Sequence, residues 1–237
     1  MESAGLLGNC RREYSRLAGQ LQRDGLDRAE IEHSRWELAD PHTGGYWLKR
    51  EAYLPTGVAL GCPLPPKITR TLASGSRLIE KWLAQRTGAT HPAFICVPQD
   101  QCHITVVNRT HYEFSPQYRP LTATEMCAVA DVLRHLSVGV ITVLTTGLLL
   151  THGGKLFVKC LPVDDSILTI RDALVDQFPL LRVNVPRIIH MKLGHLAVYL
   201  SPDEIDQFLS WLVRIEQDVI ARVQFTDVFT PAGRIDL

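Results

Sequence analysis

The chain has 237 residues, 46% of them hydrophobic and 21% charged, which is enough apolar material for one sizeable core. Lys+Arg and Asp+Glu both number 25, so the formal net charge is +0. That balance argues against duplex DNA as a partner gripped through its phosphates, because such binding takes a basic excess.

Residues 10–35 are charge-rich, with Leu17, Leu21, Leu26 and Ile31 at helical spacing, and predict two short helices separated near Gly25. Asp40 to Gly45 is a loop, so residues 1–45 form a helical N-terminal extension and 46–237 the main domain. Strands are predicted at Tyr46–Leu54 and Val58–Cys62, followed by the breakers Pro63, Pro65 and Pro66. A helix over Thr71–Arg86 ends at Gly88. Ala93–Val97 and His103–Asn108 read as strands joined through residues 98–101. Thr122 with Glu125, and Ser201 with Glu204, each fit a capping box and open helices to about Leu136 and Arg222. Between those helices, Val138–Leu149 and Lys155–Leu161 flank Gly153-Gly154 as a hairpin would. Ile167–Phe178 reads as a helix, Ile188–Leu200 as a strand region, and Ala221–Phe229 as a final strand. Strands and helices thus alternate with hairpins, which predicts an α+β fold with antiparallel or mixed sheets and helices outside.

The N-terminus has no basic segment followed by an apolar one, so a cytoplasmic protein is expected. No charged residue lies between Arg134 and Lys155, but Ser, Thr and Gly interrupt that stretch, and two buried strands explain it better than a membrane helix. Six cysteines form no C-x-x-C pair, and reduced thiols are expected. Cys102, beside His103, is expected to be buried. No metal site is read among the nine histidines, since H-E-x-x-H and H-x-H are absent and neither candidate strand carries a carboxylate. Walker, dinucleotide and G-x-S-x-G motifs are absent too, and no cofactor is expected.

Two stretches carry potential chemistry. In His103-Ile104-Thr105-Val106, strand alternation sends His103 and Thr105 to one face. An imidazole there can move a proton near neutral pH, and the hydroxyl can donate to a phosphoryl oxygen. In His190-Met191-Lys192-Leu193-Gly194-His195, His190 and Lys192 share a face, and Gly194 on that face is expected to leave room for a ligand. His195 falls off the face under strict alternation. Either histidine also fits a hydrogen-bonded core role, and Lys192 fits a side chain snorkelling to solvent. Arg109 and Tyr112 follow the first stretch and are candidate substrate contacts, Tyr112 by stacking on a base. His152 is expected to be solvated in its turn, and Trp36, Trp47, Trp82 and Trp211 to serve the core.

Together, from about Val58 to Phe229, these stretches resemble the two H-x-[ST] motifs of the 2H phosphoesterases, which include 2′,3′-cyclic-nucleotide phosphodiesterases and RNA 2′,5′-ligase-like proteins. His103 and Thr105 match the first motif. His190 matches the second, whose Ser/Thr position is Lys192 here. The resemblance implies two pseudo-symmetric lobes facing a central cleft. It also implies a metal-independent phosphodiesterase in which one of His103 and His190 takes a proton from water or a ribose hydroxyl, the other protonates the departing oxygen, and Thr105 and Lys192 hold phosphate oxygens. The implied partner is a nucleotide or short single-stranded RNA. The competing expectation is a non-catalytic module that binds RNA ends or a nucleotide in the same cleft, and a third is a structural partner in a larger assembly, based on the charged N-terminal 50 residues.

Overall fold

The computed structural model describes residues 3–32, 58–99, 102–109, 123–136, 140–177, 188–223, 225–229 and 234–236. Helix α1 runs Ser3–Asp24 and stops at Gly25, whose φ of 67° lets its N–H reach back to the Leu21 carbonyl at 2.9 Å. A helical turn at residues 28–32 follows. The break near Gly25 is where the sequence puts it, but the first helix is longer than expected. Helix α2, Pro66–Thr87, starts before the expected Thr71. Pro66, read as a breaker, is its first residue, a position whose N–H has no helical partner anyway. The helix closes as expected at Gly88, φ 59°. Helices α3 (Ala123–His135), α4 (Ser166–Gln177) and α5 (Pro202–Val223) complete the set. The Ser201 capping box forms: the Ser201 N–H donates to Glu204 Oε2 at 2.8 Å and the Glu204 N–H to Ser201 Oγ at 3.4 Å.

The strands are β1 (Val58–Pro63), β2 (Phe94–Cys96), β3 (His103–Arg109), β4 (Val140–Leu150), β5 (Lys155–Pro162), β6 (Ile189–Leu196), β7 (Phe225–Phe229) and β8 (Arg234–Asp236). They form one sheet in the order β7-β4-β5-β6-β3-β1-β8, with β2 also on β6. Among the described residues every pairing is antiparallel. The fold is α+β, as expected. The charge-free stretch after Arg134 supplies β4, and no helix among the described residues is long and apolar enough to cross a membrane. The expected final strand is divided, because α5 continues to Val223 before β7 begins. The expected strand Tyr46–Leu54, the capping residue Thr122, and Trp36 and Trp47 lie outside the described residues. Trp82 and Trp211 are partly buried and stack at 4.9 Å, joining α2 to α5.

The N-terminal segment is part of the main core rather than a separate layer. Cys10, Tyr14, Leu21, Leu26 and Ile31 are buried with residues of the sheet and helices. The segment grips the β4–β5 turn. His152 Nδ1 lies 2.6 Å from the Gly25 carbonyl oxygen, and the Asp27 N–H donates to the His152 carbonyl at 2.9 Å. Lys155 pairs with Glu30 at 3.0 Å. His152 is therefore half-buried rather than solvated, because a turn faces water only where nothing docks on it.

Candidate active site

Strands β3 and β6 come together at Ile104 and Met191, an antiparallel pair with both side chains fully buried. Antiparallel register then sets His103 opposite Lys192 and Thr105 opposite His190. All four are half-buried and share the face away from Ile104 and Met191. Directly opposed residues have Cβ atoms about 4.5–5.5 Å apart, so the four side chains form the corners of one small patch. His103 Nε2 and Thr105 Oγ1 are 3.1 Å apart, a hydrogen bond whose donor follows the imidazole tautomer. Strand β5 extends the face beyond β6, with Lys159 opposite His190 and Phe157 opposite Lys192. The Phe157 ring sits 4.1 Å from the His190 ring, between centroids.

Each motif strand then carries one extra residue at the third position past its histidine. On β3 the register with β1 jumps from Thr105↔Gly61 to Val107↔Leu60, leaving Val106 unpaired. On β6 the register with β5 jumps from Lys192↔Phe157 to Gly194↔Leu156, leaving Leu193 unpaired. A bulge releases a backbone carbonyl from the ladder, and buried carbonyls need donors. Helices supply both. Arg171 of α4 donates from Nε to the Val106 carbonyl at 2.7 Å and from Nη2 to that of Thr105 at 3.3 Å. Ser76 of α2 donates to the Leu193 carbonyl at 3.0 Å, as does the Val97 N–H, also at 3.0 Å.

The β6 bulge overturns two expectations. Strand β5 has no extra residue in this stretch, so Lys155, Phe157 and Lys159 share one face, and their partners His195, Lys192 and His190 share it too. His195 thus returns to the face from which strict alternation removed it. Gly194 leaves that face. A Cβ there would stand 2.2 Å from the Ile95 carbonyl oxygen and 2.6 Å from the Phe94 ring. Gly194 admits strand β2 and leaves no room for a ligand.

The electrostatics of β6 suppress the basicity of both its histidines. Burial pushes His190 down to about 3, and the nearby charges of Lys192, His103, Arg171 and Lys155 push the same way. Its Nδ1 is buried with no protein hydrogen-bond partner. His195 is likewise driven to about 3, by burial first and then by Lys192 and Lys155, and its Nε2 is also unpartnered. These are the two buried side-chain nitrogens or oxygens without a partner among the described residues, and they flank Lys192 on one strand face. Both imidazoles are neutral at physiological pH.

Two positioning residues escaped the sequence reading. Arg171 is 2% exposed and shares the apolar positions Ile167, Ile170 and Leu174 of α4. A charged residue at i+4 on an otherwise apolar helix face was the available signal. Tyr14 of α1 donates its hydroxyl hydrogen to the β5–β6 seam, where its oxygen meets the Ile189 and Cys160 carbonyls and accepts the Cys160 N–H at 3.0 Å. Nothing local announces that contact across 175 residues. Cys102 is buried, as expected. Arg109 ends β3 with its side chain outside the described residues, and Tyr112 lies outside them altogether.

Among known proteins, no family model and no curated sequence matches this chain. It is similar to the crystal structure of a conserved protein of unknown function from Agrobacterium tumefaciens, at 16% identity over 76% of this chain and 84% of that one, with a TM-score of 0.46.

Proposed function

We propose that the protein is a metal-independent phosphodiesterase of the 2H phosphoesterase type. It would act on 2′,3′-cyclic phosphates or related short RNA or nucleotide phosphodiesters. The observation that carries this reading is the Ile104–Met191 register, which gathers His103, Thr105, His190 and Lys192 on one half-buried face. Neither motif strand contains a carboxylate, so the acid–base chemistry is assigned to the two imidazoles. The repeated bulge after each motif supports two pseudo-symmetric halves meeting at β3 and β6.

In the proposed reaction, Thr105 and Lys192 donate to the non-bridging oxygens of the phosphodiester. Neutral His190 takes a proton from water as the water oxygen bonds to phosphorus. The bond from phosphorus to one ribose oxygen breaks, and protonated His103 gives its proton to that oxygen. Solvent exchange then resets both imidazoles. A base held near 3 is weak, but a bound phosphate anion offsets the cations around His190 and raises its basicity when substrate is present.

The test is release of a nucleoside 2′- or 3′-phosphate from the 2′,3′-cyclic form in excess chelator. Turnover that persists supports the reading, and turnover abolished by chelator and restored by zinc or manganese overturns it. A non-catalytic nucleotide or RNA-end binder using the same face is the second reading. It is favoured by the low basicity of His190 and by Lys192, and saturable binding with no turnover would select it.

A further inference from the structure

Beyond the four corner residues, the site face continues along β6 to a group that the proposed reaction does not use. His195 lies opposite Lys155 of β5 and Ile95 of β2, on the same face as His190 and Lys192 because of the Leu193 bulge. It is nine-tenths buried, and its Nε2 meets no protein partner. An unpaired polar atom inside a protein costs free energy, so one kept beside two lysines is suited to an incoming oxygen. The bulge shortens its distance from Lys192 to two ladder steps, the spacing of their partners Lys155 and Phe157, roughly 6.6 Å at about 3.3 Å per strand residue. Lys155 already holds an anion, the Glu30 carboxylate, at 3.0 Å. Both partners of that pair are more than a third exposed, and such surface pairs exchange at little cost.

We propose that His195 and Lys155 form a second anion subsite, which takes a phosphate neighbouring the scissile one on the same substrate. This inference rests on the phosphodiesterase reading and narrows its substrate class to phosphodiesters bearing an additional phosphate. Lys192 lies between the two subsites and serves both. In the empty protein Glu30 holds Lys155. The added phosphate displaces that carboxylate, draws the lysine chains apart and accepts a hydrogen bond from neutral His195 Nε2–H. Because the imidazole is neutral, it discriminates by donating a hydrogen bond, and Lys155 and Lys192 supply the charge.

The experiment compares kcat/KM for a nucleoside 2′,3′-cyclic phosphate, the same compound carrying a 5′-phosphate, and a dinucleotide ending in a cyclic phosphate. Wild type should prefer an added phosphate by about tenfold, equivalent to one good charge-assisted contact. The two phosphorylated substrates show whether the terminal or the internucleotide phosphate fills the subsite. His195→Leu should abolish the preference, and His195→Gln, which keeps an N–H donor, should restore part of it. Lys155→Met should weaken it. An equal preference in wild type and His195→Leu overturns the subsite. If wild type turns over none of these compounds, the phosphodiesterase reading fails, and binding still judges the subsite. Adenosine 3′,5′-bisphosphate titrated into wild type should shift the His195 imidazole resonances saturably, more tightly than adenosine 5′-monophosphate does. No His195 shift with the bisphosphate sinks the proposal.

Discussion

Strands β3 and β6 are built alike, with an outward histidine, a polar residue two further on and a bulge at the third position, and they differ in that second polar residue. On β3 it is Thr105, a neutral hydroxyl hydrogen-bonded to His103. On β6 it is Lys192, a cation beside a histidine whose Nδ1 has no partner and whose basicity is driven down to about 3. The suppressed basicity of His190 fits it to the proton-accepting role, which leaves proton donation to His103. In this account Lys192 both holds phosphate and adds to the burial that keeps His190 in its proton-accepting form.

The largest expected effect comes from removing either end of that proton path. His103→Ala and His190→Ala should each lower turnover by about 10²–10⁴-fold while ligand affinity is largely kept. The double variant should be little worse than either single one, as for groups acting as a unit. Near-wild-type turnover in both single variants would remove the acid–base pair from the account.

Exchanging the residue that makes β6 unlike β3 comes next. Lys192→Met should cost about 10²–10³-fold in kcat with folding intact, the scale of a lost transition-state donor. Lys192→Thr makes the two motifs chemically alike and should recover part of the loss. The imidazole of His190 should become more basic in both variants, since a neighbouring positive charge is gone. Equal activity in wild type, Met and Thr variants would make Lys192 a bystander.

The bulges provide the third comparison. Gly194→Ala should destabilise the fold by about 1–3 kcal/mol, because its Cβ meets the Ile95 carbonyl oxygen and the Phe94 ring. Arg171→Gln should destabilise it by a similar amount, roughly 1–3 kcal/mol, by leaving the Val106 carbonyl short of its donor. Denaturant midpoints test both, and a fully stable Gly194→Ala that binds nucleotide more weakly would return Gly194 to the ligand.

Much of this arrangement was legible in the sequence, and the reason the rest was not is physical. The Ser201 capping box, the Gly25 and Gly88 stops, the β4–β5 hairpin and the shared face of His103 and Thr105 depend on neighbours in the chain. The phase of β6 beyond Lys192 depends on partners remote in sequence, with Cys96 of β2 opposite Gly194 and the following Val97 N–H on the Leu193 carbonyl. Gly194 was a genuine signal with two meanings, a bulge or a ligand's approach, and only the strand pairing separates them. Arg171 and Tyr14 act on strands remote in sequence, so their roles require the assembled sheet.

The final expected effect is on acid stability. His190 and His195 are held neutral, pushed from the ordinary 6.5 to about 3, so the unfolded chain takes up protons between those values and the native protein does not. Their contribution is complete above about pH 6.5 and is lost as pH falls toward 3. His195→Leu should therefore lose less stability than wild type between pH 7 and pH 4.5, measured by denaturant midpoint. Identical losses would show that His195 is not held neutral.

The central claim is that two strands converge their side chains on one phosphate. It is tested most directly by following the side-chain resonances of His103, His190 and Lys192 while a nucleoside 2′- or 3′-monophosphate is titrated in. The account predicts that all three shift together with a single dissociation constant, and that His190 becomes more basic as the anion binds. Independent responses, or a response at only one of the two histidines, would contradict it.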